Sequence, residues 1–158
     1  MIEGVEGAVG GVAGGDDRRL LAEQIAYYRA VAGEYLDGQL DEPGGDELVA
    51  ALDEFAPAGD VLELACGPGT WTPQLLRYAA TVTAVDASPE MVDLARERVA
   101  HDLDRLRFVT ADLFSWRPDR RYDVVSMGFW ISHVPWGRFA EFWSRVADGV
   151  TAPNAWQT

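Results

Sequence analysis

Val61-Leu62-Glu63-Leu64-Ala65-Cys66-Gly67-Pro68-Gly69-Thr70-Trp71-Thr72 is the stretch that decides the fold. The apolar run Val61–Ala65 reads as a buried strand. It enters a glycine turn and then a helical pattern over Pro73–Ala79, with Pro73 in the first turn, where its missing N–H is no loss. Gly67 and Gly69 lack a Cβ, so the backbone there can take unusual dihedrals and come close to a ligand. Asp86, 19 positions after Gly67, ends the next apolar strand, Thr81–Val85. A carboxylate at that point can accept hydrogen bonds from ribose hydroxyls. Gly-x-Gly alone is a weak signal, and a glycine turn with a capping Asp is the plainer alternative. Strand, turn, helix and a second strand ending in an acid together favour a nucleoside site.

Outward from this stretch, strands and helices alternate. Ser88-Pro89 opens a helix with Ser88 as N-cap and Met91, Leu94, Ala95 and Val99 toward the sheet. Leu106–Thr110 reads as a third strand and Tyr122–Met127 as a fourth, followed by an apolar helical face of Phe139, Phe142, Trp143 and Val146. Near-continuous apolar strands alternating with helices predict an α/β Rossmann-like, doubly wound parallel sheet covered on both faces. Upstream, Leu21, Ile25, Tyr28, Ala32 and Leu36 recur at helical spacing, and Leu48, Leu52 and Phe55 mark a second short helix. Residues 1–15 hold six glycines and read as a disordered tail. The expected organisation is this tail, a domain over 16–149 with lid helices in 16–56 and a Rossmann-like core in 60–149, and a short tail over 150–158.

The 158 residues suit one domain. Thirteen basic residues, all arginine, oppose 26 acidic ones, for a net charge of −13. Such a surface repels phosphate backbones and anionic lipid, so neither a nucleic-acid nor a membrane partner is expected. One cysteine and two histidines exclude a disulfide framework and a Cys- or His-rich metal site, and no metal is expected. There is no basic n-region ahead of an apolar stretch and no run of about 18 apolar residues, which predicts a cytoplasmic protein. The all-arginine composition suggests a GC-rich, bacterial genome.

A dinucleotide fingerprint is Gly-x-Gly-x-x-Gly, and its third glycine position holds Thr72. Glu63, four residues before Gly67, is expected to turn its carboxylate to the ligand, where it would repel a pyrophosphate and attract a sulfonium. Both readings point to S-adenosylmethionine rather than NAD. The sequence here resembles the class I S-adenosylmethionine-dependent methyltransferases. The resemblance rests on Glu63-Leu64-Ala65-Cys66-Gly67-Pro68-Gly69, Val85-Asp86-Ala87-Ser88, Thr110-Ala111-Asp112-Leu113 and Tyr122-Asp123-Val124-Val125-Ser126-Met127, in that order, across about residues 20–148. It implies a glycine loop around the methionine part, Asp86 on the ribose, and Asp112-Leu113 at the adenine edge. The implied cofactor set is Tyr28, Glu63, Ala65, Gly67, Gly69, Asp86, Ala87, Met91, Asp112, Leu113 and Met127. The implied activity is methyl transfer to a small-molecule acceptor.

Tyr28, flanked by Tyr27 and near Tyr35, is expected either to pack as part of an amphipathic helix or to close over the cofactor as a lid. His133, in the loop after the fourth strand, is the candidate base for an acceptor proton; a hydrogen-bonded loop histidine is the alternative. Trp130 and Trp136 are read as an acceptor pocket or as core. Cys66 is read as a small buried residue and His101 as surface. In the family, a Pro-Gly-Gly turn and further strands follow the helix of Phe142 and Trp143. Here Val150–Thr158 does not read as a strand, so the distal strands are expected to be missing and the edge of Tyr122–Met127 open, available to a second copy. A non-catalytic, truncated fragment binding cofactor or partner is therefore the rival reading, with an NAD-dependent oxidoreductase behind it.

Overall fold

Strand alternation divides the core in two. Val61 and the buried Val82 and Ala84 face one way, with Leu75, Leu76 and Val99, while Leu62, Leu64 and Val85 face the other, with Phe114, Tyr122, Phe142 and Val146. Successive side chains of a strand point to opposite faces, so a strand that is apolar throughout must be covered on both. The computed structural model describes residues 13–32 and 44–151. In them the elements run α1 (Ala13–Val31), α2 (Gly45–Phe55), β1 (Gly59–Leu64), α3 (Thr72–Leu76), β2 (Ala79–Asp86), α4 (Pro89–Arg98), β3 (Leu106–Thr110), β4 (Val124–Ser126) and α5 (Phe139–Asp148).

The sheet is parallel, in the order β3-β2-β1-β4. Val61 sits between Val82 on β2 and Val124 on β4. The order reverses between β1 and β4, and ligands of open α/β sheets bind at the carboxyl ends of the strands at such a point. The Rossmann-like fold expected from the sequence is therefore present. α4 starts as the sequence indicated: Pro89 is in its first turn and the Ser88 hydroxyl accepts the Met91 N–H at 3.2 Å. Of the α2 face, Leu52 packs on the core, whereas Leu48 and Phe55 are exposed.

Several boundaries differ from expectation: α3 stops at Leu76 and Ala79 already belongs to β2, β4 is confined to Val124–Ser126 within the expected Tyr122–Met127, and both ends of the described chain shift. α1 opens at Ala13, inside the segment assigned to the tail; residues 1–12, Tyr35 and Leu36 lie outside the described residues. At the other end, Val150 pairs in parallel with Tyr122. The Tyr122 N–H donates to Gly149 O and its carbonyl accepts the Thr151 N–H, both at 2.8 Å. Tyr122 is fully buried, so its backbone groups need partners, and the chain leaving α5 supplies them. The edge beside Tyr122 is thus covered, while Val124–Ser126 pairs only with β1 among the described residues. Residues 152–158 lie outside them.

Candidate functional site

A cleft opens over the carboxyl ends of the strands, enclosing about 930 Å³ with its open mouth. One wall is backbone and carboxylate: Ala65 to Pro68 after β1, Asp86 to Ser88 after β2, and Asp112 to Phe114 after β3. The other is mostly aromatic: Tyr28 from α1, Trp71, and Gly128, Phe129, Trp130 and His133 from the segment after β4. Leu21, Gln24 and Ile25 of α1 and Met91 of α4 complete it.

Asp86 organises the first wall. One carboxylate oxygen accepts the Gly67 N–H at 2.9 Å and the other the Ser88 N–H at 2.8 Å, so the acid fastens the glycine loop to the start of α4. Burial raises its pKa against the opposing pull of these amides. Each oxygen keeps a lone pair for a ligand hydroxyl. Gly67 has φ +53°, a conformation that glycine takes without a Cβ penalty. Asp112 is exposed and accepts the Phe114 N–H at 2.9 Å on one oxygen and the Ser115 hydroxyl at 3.2 Å on the other.

Three expected cofactor contacts do not line the cleft. Glu63 is buried on the α3 side, where strand alternation puts it, with its carboxylate accepting the Thr72 hydroxyl at 2.7 Å. Burial pushes its pKa up to about 8, so it is mostly neutral at pH 7 and cannot serve as the counter-charge for a sulfonium. Thr72 thus occupies the missing third-glycine position and also satisfies this acid. Gly69 faces α4: a Cβ there would lie 2.9 Å from the Ala95 Cβ, so the glycine permits helix packing rather than ligand approach. Met127 packs against the core face that holds Leu62 and Val85. The remaining eight, Tyr28, Ala65, Gly67, Asp86, Ala87, Met91, Asp112 and Leu113, all border the cleft.

Tyr28 and His133, 105 positions apart, meet across the aromatic wall: the Tyr28 hydroxyl lies 3.1 Å from His133 Nε2, with the rings edge-on at 5.8 Å. Trp130 serves both roles offered for it, bordering the cleft and packing on Phe114 and Phe142. Trp136 serves neither; it is 88% exposed and stacks on Phe139. Cys66 is buried and burial raises its thiol pKa, and His101 is exposed.

Sequence reasoning did not assign Trp71, Gly128 and Phe129 to the site. Trp71 lies so close over Gly128 that a Cβ there would be 2.6 Å from its ring. Phe129 has φ +55° and Ala65 φ +53°, left-handed backbone at non-glycine residues on either side of the cleft. Strain of this kind gathers at functional sites. Nothing local in the sequence marks these residues, apart from the cluster of aromatics around Gly128.

Parallel sheet, switch-point cleft and a nucleoside-sized wall of glycine and carboxylate define a Rossmann-like cofactor-binding domain. The chain belongs to the methyltransferase-domain family, whose model matches residues 61–152. It is 36% identical over 112 residues to trans-aconitate 2-methyltransferase of Mycobacterium tuberculosis, covering 70% of this chain and 39% of that protein. Among solved structures, DhpI bound to S-adenosylhomocysteine is 41% identical with a TM-score of 0.75, covering 84% of this chain and 64% of that one. A complex of DhpI with S-adenosylmethionine and HEP aligns at 42% identity and a TM-score of 0.72. The chain spans about two fifths of the first relative's length and under two thirds of DhpI's. Family model and fold together place the chain in the class I S-adenosylmethionine-dependent methyltransferase family. Among the described residues no helix is long and apolar enough to cross a membrane.

Proposed function

We propose that the cleft holds S-adenosylmethionine with its ribose on Asp86 and its adenine beside Asp112 and Leu113, and that the methyl group passes to a small molecule seated against the aromatic wall. The observation that carries this reading is the charge of the lining. Asp86 and Asp112 offer acceptors for hydroxyls and an amine, and among the described residues no Arg or Lys borders the cleft. Carboxylates suit hydroxyl, amine and sulfonium groups and repel phosphate.

The bound sulfonium supplies an already activated methyl group, so the chain's work is alignment and exclusion of water. Gly67 and Ala65 let the backbone approach the ligand, and Asp86 holds the loop in that position. Tyr28 and Met91 close the cleft from α1 and α4. His133 stands where it can take a proton from an acceptor that carries one. The name of one relative, trans-aconitate 2-methyltransferase, supports a small acceptor here.

Thermal melting tests the reading. S-adenosylhomocysteine at ~100 times its dissociation constant should add about 2.7 kcal/mol to stability, visible as a rise of several degrees in Tm. NAD at the same concentration should add less. An equal or larger shift with NAD would overturn the assignment.

A further inference from the structure

Trp71 carries a hydrogen-bond donor that the fold leaves unused. Its indole Nε1–H is shut off from water and has no acceptor among the described residues. An indole nitrogen can only donate, and native structures seldom bury a donor without a partner. The ring borders the cleft, where it packs on Phe129 with centroids 6.1 Å apart. Its Nε1 edge lies against Gly128: a Cβ built there would sit 2.8 Å from that nitrogen. The cover over the donor is therefore a glycine, followed by Phe129, whose φ of +55° is uncommon for a bulky residue. A small shift of this pair opens the donor to the cleft.

The strand order indicates which part of a ligand meets this donor. The sheet runs β3-β2-β1-β4. Asp112 follows β3 and Asp86 follows β2, so on the cofactor reading above, adenine and ribose take the β3 and β2 end of the cleft. The amino-acid arm then extends toward β1 and β4, where Trp71, after β1, meets Gly128, after β4. Neighbouring strands lie about 4.8 Å apart, so one strand spacing beyond the ribose is within reach of that arm. The arm ends in an ammonium and a carboxylate. The carboxylate needs donors, and the Gly67 N–H is already taken by Asp86. Resting on that cofactor reading, we infer that the Trp71 Nε1–H binds the carboxylate of the cofactor's amino-acid arm, exchanging its contact with Gly128 for a hydrogen bond to the ligand. A hydrogen bond to an ionised acceptor is shorter and stronger than one between neutral groups, so a single N–H contributes measurably to affinity. Trp71 then joins the aromatic wall to the cofactor.

Two ligands and one variant test this. S-adenosylhomocysteine has the carboxylate; 5′-methylthioadenosine keeps the adenosine and the sulfur but ends in a methyl group. Trp71→Phe keeps an aromatic ring and removes the N–H. In calorimetric titrations the variant should bind S-adenosylhomocysteine about tenfold more weakly than the wild type, the equivalent of about 1.4 kcal/mol. Its affinity for methylthioadenosine should stay within about twofold. An unchanged affinity for S-adenosylhomocysteine, or equal losses on both ligands, overturns the inference and leaves the cofactor reading intact. A wild-type chain that binds neither ligand refutes the cofactor reading itself. A second measurement needs no variant: with nitrogen-15 in the indole rings, one of the six tryptophan side-chain N–H signals should move downfield with S-adenosylhomocysteine and not with methylthioadenosine. Signals that respond alike to both ligands would also overturn the inference.

Discussion

The wall of the cleft built from the strand ends is held by backbone hydrogen bonds: Gly67 and Ser88 to the Asp86 carboxylate, Cys66 N–H to Val85 O, and Ala111 N–H to Asp86 O. The facing wall is held by ring contacts, Trp71 on Phe129 and Trp130 on Phe142, and by the side-chain bond between Tyr28 and His133. Backbone bonds along adjacent strands leave little choice of shape. Rings contributed by α1, the glycine loop and the segment after β4 can be exchanged one at a time. Under the proposed function, the first arrangement suits the cofactor and the second the acceptor.

Breaking the first wall should have the largest effect. Asp86→Ala leaves the Gly67 and Ser88 amides without their acceptor, at a cost of about 1–3 kcal/mol for each group left unsatisfied. Denaturant unfolding should register several kcal/mol lost in total, and the glycine loop should lose its hydrogen-exchange protection. An unchanged midpoint would mean that the loop holds its shape without the acid.

Beneath that wall, Glu63→Gln should separate charge from packing. The folded chain holds the Glu63 proton up to about pH 8, whereas the unfolded chain releases it near the ordinary glutamate value of 4.5. Between those values the folded state binds more protons, so stability falls as pH rises, by at most about 1.4 kcal/mol per unit. Glutamine cannot ionise and escapes this loss. The variant should gain on the wild type by a few kcal/mol between pH 5 and pH 8, judged on order of magnitude. A constant difference across that window would place an ionised carboxylate in the core.

The second wall is probed by Gly128→Ala. A Cβ 2.6 Å from the Trp71 ring must displace it, and overpacking of this kind costs about 1–3 kcal/mol. Tryptophan emission should shift with it. Outside both walls, Trp136→Ser should change stability by no more than about 0.5 kcal/mol, since the ring is 88% exposed. A larger loss would show that the stack on Phe139 matters to the fold.

The difference between the walls also explains how much the sequence revealed. Asp86 was legible because a strand, a glycine turn and a strand-end acid lie within a short span and obey local backbone rules. Leu106–Thr110 emerged at its observed bounds for the same reason. Glu63 was expected at the cleft, but period-2 alternation turns it to the α3 side, and the partner that satisfies it, Thr72, lies nine residues on. The fit of Gly69 to Ala95 depends on helix packing, and the Tyr28–His133 bond joins residues 105 apart, so no local pattern announces either. The pairing of Val150 with Tyr122 escaped notice because Val150–Thr158 lacks an apolar run. What fixes it is the need of a buried backbone for partners.

Calorimetric titration with S-adenosylhomocysteine, beside NAD and repeated on Asp86→Asn, tests the central claim most directly. The account predicts that S-adenosylhomocysteine binds more tightly than NAD and that Asp86→Asn, which keeps the side chain's size, weakens it by at least about tenfold through a lost charge-assisted hydrogen bond. NAD binding as tightly, or an unchanged affinity in a folded Asp86→Asn variant, would contradict it.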